Sequence, residues 1–509
     1  MKRLVSVCRL SQAGLITYER HLLSLFNKQI QRPMTLLQTS SKHTPLAPIV
    51  WDEALIRQYD LSGPRYTSYP TAPQFSPSFT DQALASAVQK SNQTGTPLSL
   101  YFHIPFCDTV CYYCACNKII TANKKRAAPY LDRLHKELAM QSETFDRSRP
   151  VHQLHWGGGT PTYISDDQMR QLMAETKRHF TLLDDDSGEY SIEVHPGRMN
   201  VGTISTLREI GFNRLSMGVQ DFDPAVQKAV NRFNSYQEVK DLVDAANKEG
   251  FHSISMDLIY GLPHQSLASI AVTLEQIITL SPDRISLFNY AHMPHLFKTQ
   301  NQMDARSLPE PQVKLQILQY AIETLCAAGY VYIGMDHFAK PNDNLAIAQE
   351  NGLLQRNFQG YATHNHCELL SFGVSAISSF GNAFVQNYKN IEDYNQAIDS
   401  GILPREKGFE LSEEDRLRQH VINQLICQFR LEFSEVEDRF PVDVINHFDA
   451  ELNALKPMKK DGLIAMDDRH IEILPRGRLL IRRICMVFDA YQPKIGETPL
   501  PSNRFSRII

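Results

Sequence analysis

The sequence predicts an α/β fold: a partial (β/α)6, TIM-like barrel with a smaller, mainly helical C-terminal domain. Three observations lead there. Between Leu98 and Tyr290, short β-type runs alternate six times with helical patterns, the signature of a parallel βα array. The chain has 509 residues, too many for one ordinary domain. Its 42% apolar and 21% charged residues describe a core-forming globular protein.

The first strand is expected at Leu98–Ile104, where Leu98, Leu100, Phe102 and Ile104 alternate with Ser99, Tyr101 and His103. Further strands are expected at Gln153–Trp156, Ser191–His195, Arg214–Val219, Ser253–Tyr260 and Arg284–Tyr290. Between them, Leu131, Leu134, Leu138 and Phe145 mark one helical face. Ser165 with Gln168 forms a capping box before Met169, Leu172 and Met173; Ser235 with Glu238 forms another, and Gly250 stops that helix. Such an array closes or half-closes into a barrel; a doubly wound open sheet is the alternative. After Tyr290 a second helix, roughly 311 to 328, precedes a β-like run at Tyr330–Met335. From about Leu411, helices lead to two β runs, Leu463–Met466 and Ile471–Leu474, turning at Asp467–Arg469: a helical domain with a β-hairpin, winged-helix-like.

These patterns divide the chain into an N-terminal extension (1–50), a barrel with its N-terminal segment (51–370) and a C-terminal domain (371–509). Residues 1–43 carry seven Lys or Arg and one acid, Glu19. That composition fits a transit peptide or an over-long start, with Met34 a second initiation point. A formal charge of -4 removes the long-range field that nucleic-acid binding needs. No apolar run approaches the roughly 18 residues of a membrane span; the cysteine usage suits a reducing compartment, and a cytoplasmic protein is expected.

Four of the nine cysteines, Cys107, Cys111, Cys114 and Cys116, lie within ten residues. Cys8, Cys326, Cys367, Cys427 and Cys485 are scattered and read as incidental. An odd count with one tight cluster points to metal or redox chemistry rather than to a disulfide framework. Three thiolates spaced C-x3-C-x2-C on a loop leaving a strand suit a [4Fe–4S] cluster with one iron left open. The alternative is a closed structural zinc site with Cys116 or His103 as fourth ligand.

Other residues gather toward the same end of the barrel. Gly157, Gly158, Gly159 and Thr160 follow the second strand, where glycines let a backbone approach a ligand; alone, they read equally as a tight turn. Glu193, Gln220 and Asp257 end the third, fourth and fifth strands. Any one of them could be a helix cap or ion-pair partner; three in succession favour a shared site.

The C-x3-C-x2-C loop after the first strand resembles the radical S-adenosylmethionine superfamily. A longer set of stretches is similar to one family within it, the oxygen-independent coproporphyrinogen III oxidases. These are Ser62-Gly-Pro-Arg-Tyr-Thr-Ser-Tyr-Pro-Thr71, His155-Trp-Gly-Gly-Gly-Thr-Pro161, Asn213-Arg-Leu-Ser-Met-Gly-Val-Gln-Asp-Phe222, Asp257-Leu-Ile-Tyr-Gly-Leu-Pro263, Gly334-Met-Asp-His-Phe-Ala339, Asn357-Phe-Gln-Gly-Tyr361 and Phe505-Ser-Arg-Ile-Ile509. The resemblance covers everything after about residue 50.

It implies a [4Fe–4S] cluster on Cys107, Cys111 and Cys114, and two S-adenosylmethionine molecules. Tyr101, Gly158, Glu193 and Ile377 match positions around the first; Tyr113, Gly159, Thr160, Gln220, Arg232, Asp257 and Ala291 match positions around the second. It implies coproporphyrinogen III as substrate, a low-potential electron donor, an electron acceptor and a monomeric enzyme of heme biosynthesis. A 5′-deoxyadenosyl radical would take a hydrogen from each of two propionates, which lose carbon dioxide to become vinyl groups. Arg65 and Arg356 are candidates for the propionate carboxylates. Cys116 lies near the reaction without an assigned role.

Two residues depart from the family: His195 stands where Asp is usual, and Ala115 where Gly is usual. The rivals are the related heme chaperones, which have Phe at the position of Cys116 and lack the Gly63–Pro70 segment, and a zinc-stabilised scaffold.

Overall fold

In the computed structural model, which describes residues 48–364, 366–492 and 505–509, the six expected strands form in order. They are β1 (Leu98–Ile104), β2 (Pro150–Gly158), β3 (Glu189–Val194), β4 (Arg214–Gln220), β5 (Ser253–Tyr260) and β6 (Arg284–Asn289). Each pairs in parallel with the next. The helices that follow are α1 (Ala127–Thr144), α2 (Asp166–His179), α3 (Thr203–Ile210), α4 (Tyr236–Lys248), α5 (Leu267–Leu280) and α6 (Pro311–Ala327). Both expected capping boxes form, at Ser165 and Ser235. Strand order follows chain order without the reversal that defines a doubly wound sheet. The edge strands do not pair with each other, so the barrel is a half-closed arc.

Alternation along the strands decides which side chains face where. Leu100, Phe102, Leu154, Trp156, Ile192, Leu215, Met217, Met256 and Leu287 are essentially inaccessible and join one continuous core with the helices. The inner face is polar instead. His155, Ser191, Glu193, Ser216, Ser255, Asp257 and Ser286 line a cavity of about 230 Å³, which the small serines leave unfilled. Toward its base, Arg214 pairs with Glu189 at 3.0 Å and Arg284 with Asp343 at 2.8 Å. No helix among the described residues is long and apolar enough to cross a membrane.

The sheet extends at both edges, and one expectation, the domain boundary, needs correction. Beyond β6, β7 (Val331–Gly334) and β8 (His337–Ala339) extend one edge antiparallel. At the other edge, β9 (Glu368–Phe372) lies parallel to β1, followed by antiparallel β10 (Ile377–Phe380), β11 (Ala383–Asn387) and β12 (Arg405–Glu410). The expected boundary at 370/371 therefore falls within a strand, and residues 377–387 and 405–410 are sheet, not part of a helical domain. These runs are short and Ser/Gly-interrupted, so local periodicity could not separate them from loops; pairing with distant strands fixes them. Further on, α7 (Glu413–Gln428) and α8 (Asp449–Lys460) precede the expected hairpin, β14 (Ile464–Met466) and β15 (His470–Ile473). A third strand, β13 (Arg430–Glu432), joins it. The expected extension at 1–50 lies outside the described residues up to position 47.

Candidate active site

Seven parallel strands, β1 to β6 and β9, direct their C-terminal ends to one mouth. There β1 runs into the cysteine loop. That loop is tied down from several sides: Tyr112 N–H donates to Val230 O at 3.0 Å, and Asn231 Nδ2 to Val110 O at 2.7 Å. Buried Gln300 donates both to Tyr113 O (3.3 Å) and to Ala291 O (3.2 Å), joining the loop to the end of β6. Sequence reasoning missed Gln300, because its role depends on two carbonyls distant in the chain.

The thiols carry the donors that a thiolate needs. Thr160 Oγ1 donates to Cys107 Sγ at 3.5 Å and Arg232 to Cys111 Sγ at 3.6 Å. Burial pushes the Cys107 thiol up to about 11, and the neighbouring Cys114 and Cys111 add to the rise while Thr160 opposes it. The Cys116 thiol hydrogen-bonds to Cys114 and so lowers Cys114, helped by Lys118, whose ammonium donates to Cys114 O at 2.9 Å. Mutually repelling thiols beside Arg232 and Lys118 suit a cationic iron site that deprotonates them, and the donor set fits a three-cysteine iron–sulfur cluster. His103 does not serve as a fourth zinc ligand. Its Nε2–H donates to Asn117 O at 2.9 Å and its Nδ1 accepts from Tyr101 at 3.1 Å, so both ring nitrogens are occupied.

Glu193 stands at the end of β3 with its carboxylate fixed. Oε2 accepts from Gly158 N–H and Oε1 from His155 Nε2, both at 3.2 Å. His155 Nδ1 pairs with Ser191 Oγ at 2.5 Å, and its ring stacks on Tyr101 with centroids 5.9 Å apart. Burial works to raise Glu193, but the His155 and Gly158 hydrogen bonds outweigh it and hold it low. The barrel cavity still leaves 44% of the Glu193 side chain accessible. Burial, followed by the charge of Glu193, raises Asp257 to about 6. His155 was not among the expected site residues; a histidine in a strand carries no signal of its own until its neighbours are known.

Gln220 Oε1 and Arg232 Nε are buried without a partner beside these groups. Buried polar atoms left open at a mouth mark where a polar ligand binds, and they fit S-adenosylmethionine. The glycines also pack the chain against itself. Gly158 takes a φ of +113°, with the His103 ring where a Cβ would stand, and at Gly159 a Cβ would meet Pro105 O at 2.6 Å. Gly159 N–H donates to Ile104 O at 2.8 Å, so these glycines pack β2 against the start of the cysteine loop.

Ile377, opposite Ser371 at the mouth end of β10, turns its side chain onto Phe75, Phe384 and Leu411. Arg65 pairs with Asp336, and Arg356 Nε donates to Arg65 O at 3.2 Å, which brings both expected arginines together beside β6. His195 is buried; burial and then the charges of Arg232 and Arg198 drive it down to about 2, so it is neutral.

Comparison with known proteins decides the family. The radical SAM superfamily model matches residues 101–277, and the HemN C-terminal domain model residues 411–480. An oxygen-independent coproporphyrinogen III oxidase of Pseudomonas aeruginosa is 51% identical over 464 residues, covering 91% of this chain and all of that protein. The chain belongs to the oxygen-independent coproporphyrinogen III oxidase family. The Escherichia coli member of that family is 46% identical over 461 residues, covering 91% of this chain and 99% of its own. The solved structure described as coproporphyrinogen III oxidase from E. coli, a radical SAM enzyme, superposes with a TM-score of 0.83 at 46% identity, over 87% of this chain and all of that one. As a family member the chain is a radical SAM oxidoreductase, a class that uses a [4Fe–4S] cluster and S-adenosylmethionine.

Proposed function

We propose that this chain converts coproporphyrinogen III to protoporphyrinogen IX without oxygen. The observation that carries this reading is the three-thiol loop facing Glu193, Gln220 and Asp257 at one mouth, in a chain that spans the full length of a 51% identical coproporphyrinogen III oxidase. A [4Fe–4S] cluster held by Cys107, Cys111 and Cys114 would supply the electron for reductive cleavage of S-adenosylmethionine, and with it the radical chemistry that removes a β-hydrogen from a propionate. Each propionate then loses carbon dioxide and one electron to leave a vinyl group; both conversions need an electron acceptor, and each cleavage a low-potential donor.

The chain's own residues bind and orient. Cys107, Cys111 and Cys114 hold the iron, with Thr160 and Arg232 donating to two of the sulfurs. Around them we assign two S-adenosylmethionine molecules: one to Tyr101, Gly158, Glu193 and Ile377, the other to Tyr113, Gly159, Thr160, Gln220, Arg232, Asp257 and Ala291. Glu193 and Asp257 offer carboxylates to an ammonium or to ribose hydroxyls. Arg65, Arg356 and Arg482 gather closely enough for their charges to depress Arg65 after burial has done so, and guanidinium forks match propionate carboxylates. We further propose that the enzyme works as a cytoplasmic monomer, that residues 1–50 are an extension, and that the C-terminal domain starts after Glu410, where the barrel sheet ends.

The test is anaerobic reconstitution with iron and sulfide, reduction, and addition of S-adenosylmethionine with coproporphyrinogen III. Carbon dioxide, methionine and protoporphyrinogen are expected. If none forms, the oxidase reading fails. Heme retention without decarboxylation would favour a chaperone, and zinc without acid-labile sulfide a scaffold.

A further inference from the structure

At the opposite end of the barrel from the cysteine loop lies a second cluster of metal-type ligands. One ligand atom each from His152, His366 and Cys367 lies within 4.8 Å of the other two. The His364 ring stands beside them, 5.6 Å from the ring of His152 and 5.9 Å from that of His366. Strand β1 separates the two ends: Leu98 pairs with Val151 and Glu368 at its start, and the cysteine loop begins beyond Ile104. Six residues of strand make that separation about 20 Å, so none of these groups belongs to the site above.

The backbone is shaped to bring the ligands together. Leu98 pairs with Val151 and Ser99 with Gln153, so His152 is the extra residue of a β-bulge on β2. A bulge at a barrel rim re-aims the side chain of its unpaired residue; here the His152 ring meets those of His364 and His366. Cys367 immediately precedes β9, the neighbour of β1 on its other side.

The outer hydrogen bonds also select the right tautomer at His364. Thr363 donates its hydroxyl to Glu189 Oε2 at 2.8 Å, so its oxygen accepts from His364 Nδ1–H at 2.9 Å. This carboxylate–hydroxyl–imidazole relay leaves the His364 Nε2 lone pair free. It is the arrangement that orients metal-ligating histidines.

We propose that His152, His364, His366 and Cys367 form a structural zinc site that ties His364, His366 and Cys367 to the bulged rim of β2, independently of the iron–sulfur cluster. Three imidazoles and one thiolate are a closed tetrahedral set for a borderline-soft ion. Zn–N bonds of about 2.0 Å and a Zn–S bond of about 2.3 Å place ligand atoms about 3.3–3.6 Å apart. For His152, His366 and Cys367, closing from 4.8 Å asks for about 1–1.5 Å of side-chain movement, and the His364 ring, 5.6 Å from that of His152, turns in to complete the set.

The experiment uses untagged, cluster-reconstituted protein dialysed against buffered zinc, with metal content measured per chain. One equivalent of zinc is expected in the wild type and also in Cys107→Ser, which removes an iron ligand but nothing here. Cys367→Ser and His366→Asn should each weaken zinc binding at least tenfold; His366 is exposed, so its replacement leaves the core intact. Cobalt substituted for zinc should give a thiolate-to-cobalt charge-transfer band in the wild type and not in Cys367→Ser. Absence of stoichiometric zinc from the wild type overturns the proposal. So does zinc that persists in both rim variants, or zinc that disappears with Cys107→Ser.

Discussion

At the scale of single residues, the site is a set of charged groups whose state is set by their immediate partners. Replacing Cys107, Cys111 or Cys114 by Ser should remove cluster iron and sulfide. Cys116→Ser should keep both, because Cys116 acts as donor to Cys114 rather than as a ligand. Glu193→Gln loses a charge-assisted acceptor worth about 1.5–3 kcal/mol. S-adenosylmethionine affinity, measured anaerobically by equilibrium dialysis, should then fall about 10- to 100-fold. Asp257, raised to about 6, gives a pH signature. Above that value it is a carboxylate that attracts the cationic cofactor; as pH falls through about 6 it protonates and the attraction is lost. Affinity should therefore drop on acidification in the wild type and show no such break in Asp257→Asn. His195 contributes no titration near neutrality, because burial and Arg232 keep it uncharged. The cysteine spacing was legible in the chain because iron ligation needs only local thiols. The roles of His155 and Gln300 were not legible, since each depends on partners that only the folded strands bring near.

Elements explain why these residues stay in place. Helix α1 is joined to the β9–β11 edge through Glu137, which is fully buried. Its carboxylate accepts from Gly373 N–H (2.7 Å), Asn387 Nδ2 (2.7 Å), Tyr394 OH (2.7 Å) and Gln141 Nε2 (3.1 Å). Glu137→Ala would strand four buried donors and leave a cavity. A loss of about 3 kcal/mol or more is expected in urea denaturation, with softening of the β9 edge visible as faster amide exchange there. Helix and strand identity from β1 to α6 was readable, because long apolar faces and capping boxes are local signals. Strands β9 to β12 were not: runs such as Glu368–Phe372 and Ile377–Phe380 become strands by pairing with β1 and with each other.

Across the whole molecule, the two ends of the described chain meet. Gly63 N–H donates to Ser506 O at 3.1 Å and Ile508 N–H to Leu61 O at 2.8 Å. Buried Arg482 donates to Pro64 O and to Arg507 O, both at 2.9 Å, and binds Gly63 O as well. The tail thus holds the segment carrying Arg65 in position. Deleting Phe505–Ile509 should remove acceptors from a buried guanidinium and cost about 1–3 kcal/mol or more of stability. Binding of the anionic substrate, read as KM, should weaken more than cofactor binding.

By itself, the sequence determined the barrel's repeating units, the three-cysteine spacing and the family, because periodicity, caps and short-range spacing are properties of neighbouring residues. Only the tertiary structure decided that the sheet continues to Glu410, that Gln300 and His155 stand at the mouth, that His195 is buried and uncharged, and that Cys367, incidental in the sequence, lies beside His152. Each of these rests on strand register or, for Gln300, on the packing of loops that follow the strands, which sets residues far apart in the chain against one another and is written in no single stretch of it.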